Sequence, residues 1–276
     1  MRRSRAAAIL LAGPLAAPAR AEALRVCADP NNLPFSNEAR EGFENRIAAV
    51  VAEALGRELA FTWWAQRRGF VRNTLAAGLC DVAIGVPAGY DPVATTRPYY
   101  RSTYVLVSRS RDKLDAASLD DPRLDSLRIG VQLVGDDGAN TPPAHALAAL
   151  GLGGNLRGYM VTGDYGTPAP GAAIVDAVAA GEVDVAAVWG PQAGYFAARA
   201  AEPLTVMPIA GGGRSGPFRF QFDIAMGVRR GDRDLRDRLD HVLVQRRADI
   251  EAILEDYHVP LLPLPPAGTA AGARPD

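Results

Sequence analysis

Ala76-Ala77-Gly78-Leu79-Cys80-Asp81-Val82-Ala83 reads as a helix end, a glycine stop and the start of a buried strand. The same word returns 103 residues later as Ala179-Ala180-Gly181-Glu182-Val183-Asp184-Val185-Ala186. Leu24-Arg25-Val26 and Leu127-Arg128-Ile129 stand at that same offset. Chance can produce either match in an alanine-rich chain. A shared offset points instead to two related α/β units.

The first unit fills in around its repeat. Leu24 to Ala28 is a short buried strand, and Asp29 to Pro34 is a loop at its carboxyl end. Between Phe43 and Leu55, the apolar Ile47, Val50, Val51, Ala54 and Leu55 keep helical spacing, and Gly56 closes the segment. Leu59 to Trp64 is a second strand. Val71 and Leu75 mark a short helix, and Asp81 to Val86 is a third strand. Strand and helix alternate as in a parallel sheet covered on both faces.

Tyr99 to Val107 and Phe218 to Val228 are also strand-like and flank the second unit. The helical stretch from Leu235 to Leu254 has no third unit to join. The economical arrangement is a discontinuous α/β fold, with lobe one at 22–107, lobe two at 108–216 and a return segment at 217–264. Right-handed crossovers place the first and third strands of lobe one side by side. Cys27 and Cys80 then come within reach of a disulfide, with two separate buried thiols as the alternative.

Composition narrows the function classes. The formal charge of −1 argues against binding nucleic acid by neutralising phosphates, and no apolar run reaches the length of a membrane span. Arg2, Arg3 and Arg5, an apolar stretch from Ala6, and Ala19-Arg20-Ala21 form a secretory leader over residues 1–21. Removing it takes away four arginines and no acid, shifting the charge from −1 by four to −5. No cysteine stands at the cleavage site, so a soluble exported protein without a lipid anchor is expected. An oxidising compartment favours the disulfide. The Pro/Gly/Ala-rich residues 265–276 read as a disordered tail.

In such sheets, ligands sit outside the carboxyl ends of the strands. Four segments meet that description, with Asn31, Asn32, Phe35, Tyr90, Asp91, Gln132, Asp136, Trp189 and Gln192 as candidate cleft residues. They offer amides and aromatics but few charges. No nucleophile elbow, HExxH or P-loop is present, and His145, His241 and His258 lack metal-ligand spacing. Asp136 and Asp137 are neighbours on an extended segment and point apart, so they read as solvent-facing rather than an acid–base pair. Gly211 to Gly216 leads into a strand rather than a helix, so it reads as a connection and not a phosphate loop.

Four longer words carry a resemblance. They are Val26 to Asn37 (VCADPNNLPFSN), Gly42 to Asn45 (GFEN), Trp63 to Phe70 (WWAQRRGF) and Thr96 to Ser102 (TRPYYRS). On them the chain resembles the MxaJ/XoxJ proteins, within the type II periplasmic binding proteins. The resemblance implies a periplasmic, non-enzymatic accessory role in methanol oxidation, with no cofactor of its own. Its implied partners are a PQQ methanol dehydrogenase, lanthanide-dependent on the XoxJ branch, and its c-type cytochrome. The alternative is the binding protein of an ABC importer for a small non-amino-acid solute.

Departures from amino-acid binders support the first reading. Nothing from Pro87 to Thr96 is an arginine to clamp a ligand carboxylate, and Trp189 stands where an acid would meet its ammonium. A buried zwitterion left unpaired costs several kcal/mol. Arg67 and Arg68 are candidates to hold an acidic partner. Trp63 and Trp64 point to opposite faces if extended, one toward the core and one as a surface anchor.

Overall fold

The computed structural model describes residues 22–134, 140–160, 165–211 and 216–264. The leader at 1–21, Asp136 and Asp137, most of the glycine-rich connection and the tail at 265–276 lie outside the described residues. The chain order is β1 (Leu24–Ala28), β2 (Asn31–Asn32), β3 (Ser36–Asn37), α1 (Phe43–Ala54), β4 (Leu59–Trp63), α2 (Phe70–Asn73), β5 (Val82–Pro87), β6 (Ala94–Thr95) and β7 (Tyr100–Arg109). It continues with β8 (Ile129–Leu133), α3 (Pro142–Ala149), β9 (Leu156–Met160), α4 (Ala173–Ala180), β10 (Val185–Trp189), α5 (Gly190–Ala197), β11 (Leu204–Pro208), β12 (Gln221–Val228), α6 (Arg233–Gln245) and α7 (Arg247–Asp256).

β1 is flanked by β4 and β5, both parallel to it, so it is buried on both faces and reads as an apolar run. On one face, Val26 and Ile84 join Phe43, Ile47 and Val51 of α1 and Leu239, Val242 and Leu254 of the last two helices. On the other, Cys27 and Cys80 lie among Leu75, Ala83, Val86 and Val93. The two cysteines form the disulfide, with their Cα atoms 5.4 Å apart.

The second lobe repeats the plan. β8 lies between β10 and β9, parallel to both. Ile129, Val131 and Val185 pack with Leu147 of α3 on one side. Ala186 and Val188 pack with Ile174 and Val178 of α4 on the other.

β7 joins the two sheets. Its first residues, Tyr100 to Thr103, pair antiparallel with β12, while Tyr104 to Ser108 pair with β10 and Val105 to Arg109 with β11. The chain returns through Phe220, whose carbonyl accepts from the Tyr104 amide, into β12. These are the two hinge strands. Arg101 braces them with a two-pronged ion pair to buried Asp223 (2.5 and 2.9 Å).

The 103-residue offset is a tertiary device as well as a sequence word. Arg25 donates from Nε and Nη2 to Asp81 and from Nη1 to the Gly78 carbonyl. Arg128 likewise donates from Nε and Nη2 to Asp184, and also reaches the Gly181 carbonyl. In each lobe the arginine's own amide donates to the same aspartate. Each glycine ends its segment at positive φ, 73° for Gly78 and 76° for Gly181, which turns its carbonyl toward the arginine. Thus each lobe ties its first strand to the turn before its third.

The final helical stretch differs from the sequence expectation. It breaks at Arg246 (φ −105°, ψ 21°) into α6 and α7. The break lets Leu239 and Val242 on one helix, and Ile250 and Leu254 on the other, reach the same core. Among the described residues, no helix is long and apolar enough to cross a membrane.

Candidate functional site

The carboxyl end of β1 delivers Asp29, which is 2% exposed, to the edge of lobe one. Its Oδ1 accepts from the Asn31 amide (2.8 Å) and its Oδ2 from the Gln66 amide (2.5 Å). The Tyr165 hydroxyl reaches across from lobe two and also donates to Oδ2. Burial, and then the bond to Asp29, raise the Tyr165 phenol above its ordinary value, so it stays a donor. The Asn31 amide group donates to the Thr167 carbonyl (2.9 Å) in the same seam. The Arg67 guanidinium lies 5.1 Å over the Tyr165 ring. Three side chains of lobe one therefore grip one segment of lobe two.

Deeper in, lobe two supplies an amide relay. The Trp189 amide donates to Gln132 Oε1 (2.9 Å), Gln132 Nε2 to Gln192 Oε1 (2.5 Å), and Gln192 Nε2 to the Gly171 carbonyl (2.5 Å). Gln132 and Gln192 are both buried. An alanine Cβ at Gly171 would stand 3.3 Å from the Leu33 carbonyl oxygen, so this backbone abuts lobe one directly. At the hinge, Trp189 meets Tyr104 at a tilt (5.2 Å) and Phe222 edge-on (5.9 Å) and packs on the core of lobe one. The protein's own amides and rings thus bond and pack with one another near the junction, and a pocket of about 390 Å³ remains beside Gln132, Thr167, Gly171 and Gln192.

Glu44 has no counterpart among the sequence candidates. It sits in the first turn of α1, partly buried, with its Oε1 against Gly85 of β5. Burial first, and then the nearby Asp29 charge, push its carboxyl up to about 8. At neutral pH it is mostly protonated.

The remaining sequence candidates divide clearly. Asn32 donates to the Gln66 side chain (3.0 Å), on the cleft side of lobe one. Phe35 packs edge-on against Phe43 (5.3 Å) and belongs to the rim of the core. Tyr90 lines a pocket of about 490 Å³ together with Arg67 and Arg68. Asp91 is exposed and turns away from these groups, its carbonyl accepting from Arg230. Trp63 is half-buried and stacks on Phe61 (4.8 Å) rather than entering the core, whereas Trp64 is 43% exposed. Asp136 lies outside the described residues. Asp29 and Tyr165 were missed as individuals. Asp29 was legible as the first polar residue after a buried strand, but Tyr165 sits in an irregular stretch with no periodic signal.

Two α/β lobes, each with three parallel strands at its centre and antiparallel strands beside them, linked by two hinge strands and meeting at the carboxyl ends of the parallel strands, define a type II periplasmic-binding-protein fold. No family model matches the chain. Protein MoxJ of Methylorubrum extorquens strain AM1 is 35% identical over 255 residues, 87% of this chain and 82% of that protein. The crystal structure of periplasmic binding protein XoxJ from Methylobacterium extorquens AM1 superposes with a TM-score of 0.72 at 39% identity, over 87% of this chain and all of that one. MxaJ from Methlophaga aminisulfidivorans MPT gives a TM-score of 0.74 at 28% identity, again over 87% of this chain and 100% of its own. The chain belongs to the MoxJ/MxaJ/XoxJ family.

Proposed function

We propose that this chain is a non-catalytic periplasmic accessory protein of methanol oxidation that engages a PQQ-dependent methanol dehydrogenase. Family membership supports the setting. One observation carries the non-transport reading: the lobes are already bridged by the protein's own groups, with Tyr165 donating to Asp29 and the Asn31 side chain donating to the Thr167 carbonyl. A ligand entering between the lobes would have to break these contacts, and the charged groups of the seam, Asp29 and Arg67, are already engaged by Tyr165.

Mature protein tested against the cognate dehydrogenase, apo and holo, by cross-linking and co-purification decides the reading. A stable or cross-linkable complex with either form is expected. Absence of contact, under conditions where the dehydrogenase still binds its cytochrome, overturns it. The importer reading instead predicts that some small non-amino-acid solute raises the melting temperature by mass action.

A further inference from the structure

Beside the seam, lobe one holds a pocket of about 490 Å³ between the loop after β4 and the loop after β5. That volume lies in the range of small-molecule sites. Its floor is apolar, with Phe70 and Val86, and Tyr90 stands at its edge. Arg67, Arg68 and Arg72 line the same pocket, and no carboxylate does.

That charge arrangement is unusual for this molecule. Most described arginines, from Arg25 to Arg247, sit on an aspartate or glutamate. Arg67 and Arg72 make no ion pair among the described residues. Arg67 rests on a tyrosine ring, and Arg72 is folded back toward Gly69. Both are exposed, so neither is held by burial. Guanidinium forks match carboxylate geometry, and two of them beside an apolar floor suit an anion with a flat hydrocarbon body. Glu44, whose carboxyl reaches the lining residue Gly85, is mostly neutral at pH 7 and does not oppose an anion there.

We propose that this pocket binds an organic dicarboxylate, with its apolar body on Phe70 and Val86 and its carboxylates on Arg67 and Arg72. The site is distinct from the Gln132–Gln192 relay of lobe two. It touches the lobe junction at one point, because Arg67 also covers Tyr165, which holds Asp29.

The test is calorimetric titration of the mature protein with isophthalate, alongside uncharged isophthalamide and inorganic sulfate. Isophthalate is expected to bind with a Kd of about 0.1–1 mM, in line with its small size. Isophthalamide and sulfate should each bind at least about tenfold more weakly, since one lacks the charge and the other the apolar body. The double variant Arg67→Gln/Arg72→Gln should lose at least about tenfold in isophthalate affinity. Arg233→Gln/Arg238→Gln, at two exposed positions of α6, should not change it. Single variants at Arg67 and Arg72 serve if the double variant fails to fold. Any one of four results overturns the proposal: no isophthalate binding at about 10 mM, equal binding of isophthalamide or sulfate, unchanged affinity after loss of Arg67 and Arg72, or an equal loss in the α6 variant.

Discussion

Asp81 receives hydrogen bonds from the side chain and amide of Arg25 and from Arg229, and its side chain is 10% exposed. Asp184 holds the same place in lobe two with Arg128, but at 23% exposure against an arginine that is 49% exposed. Hydrogen bonds to charged groups stabilise by about 1.5–3 kcal/mol when shielded and by less when wet. Asp81→Asn should therefore cost about 2 kcal/mol and Asp184→Asn about 1 kcal/mol, read from urea midpoints. A reversed order would refute the account. The bond from Arg128 outweighs burial and holds the Asp184 carboxyl at about 2. Its stabilisation is therefore complete above the ordinary value near 3.8 and is lost as pH falls through about 2. Glu44 works in the opposite sense. Its folded carboxyl keeps a proton up to about 8 that the unfolded chain releases near 4.5, so stability declines as pH rises across that window. Glu44→Gln should flatten that decline and exceed the parent at pH 9 by about 1 kcal/mol or more, measured by denaturation at a series of pH values.

At the scale of elements, α5 shows how closely lobe two is pressed onto the end of the chain. A Cβ on Gly194 would collide with the His258 carbonyl, and one on Gly190 would stand 2.5 Å from the Thr103 carbonyl. Tyr195 of the same helix stacks on Tyr257 (5.4 Å). The segment that follows α7 continues this contact: Ser102 donates to the Pro260 carbonyl (2.7 Å), and the Leu262 amide donates to the Arg101 carbonyl. The hinge strand β7 is thus braced by β12 on one side and by the chain's last described residues on the other. Gly194→Ala should cost about 2–3 kcal/mol by overpacking. Gly154→Ala, which meets open space, should change stability by less than about 0.5 kcal/mol. Equal thermal midpoints for the two variants would show that α5 can slide away at little cost.

Across the whole molecule, the Asp29–Tyr165 bond joins the lobes apart from the hinge strands, so a change there should alter their relation. Tyr165→Phe removes the hydroxyl that reaches Asp29 but leaves the ring under Arg67. It should lower the melting temperature by about 2–4 °C and speed hydrogen exchange at the Gln66 amide, which shares Asp29 Oδ2. Solution scattering should register a larger radius of gyration. If size and exchange both match the parent, the hinge strands and the packing of α5 on the end of the chain keep the lobes together without the Tyr165 hydroxyl.

Local sequence determined the repeated strands and glycine stops, because buried strands and helix ends carry short-range signals: apolar runs, spacing and residues that tolerate positive φ. The strand order read from it also placed Cys27 and Cys80 within reach of one another. It did not reveal that Arg25–Asp81 and Arg128–Asp184 are the same staple, since each joins residues 56 apart. Nor did it show that Gln132 and Gln192 bond one another, or that Tyr165 closes on Asp29 from 136 residues away. Those outcomes depend on which polar groups lose water together when the lobes meet, and only the tertiary structure sets that.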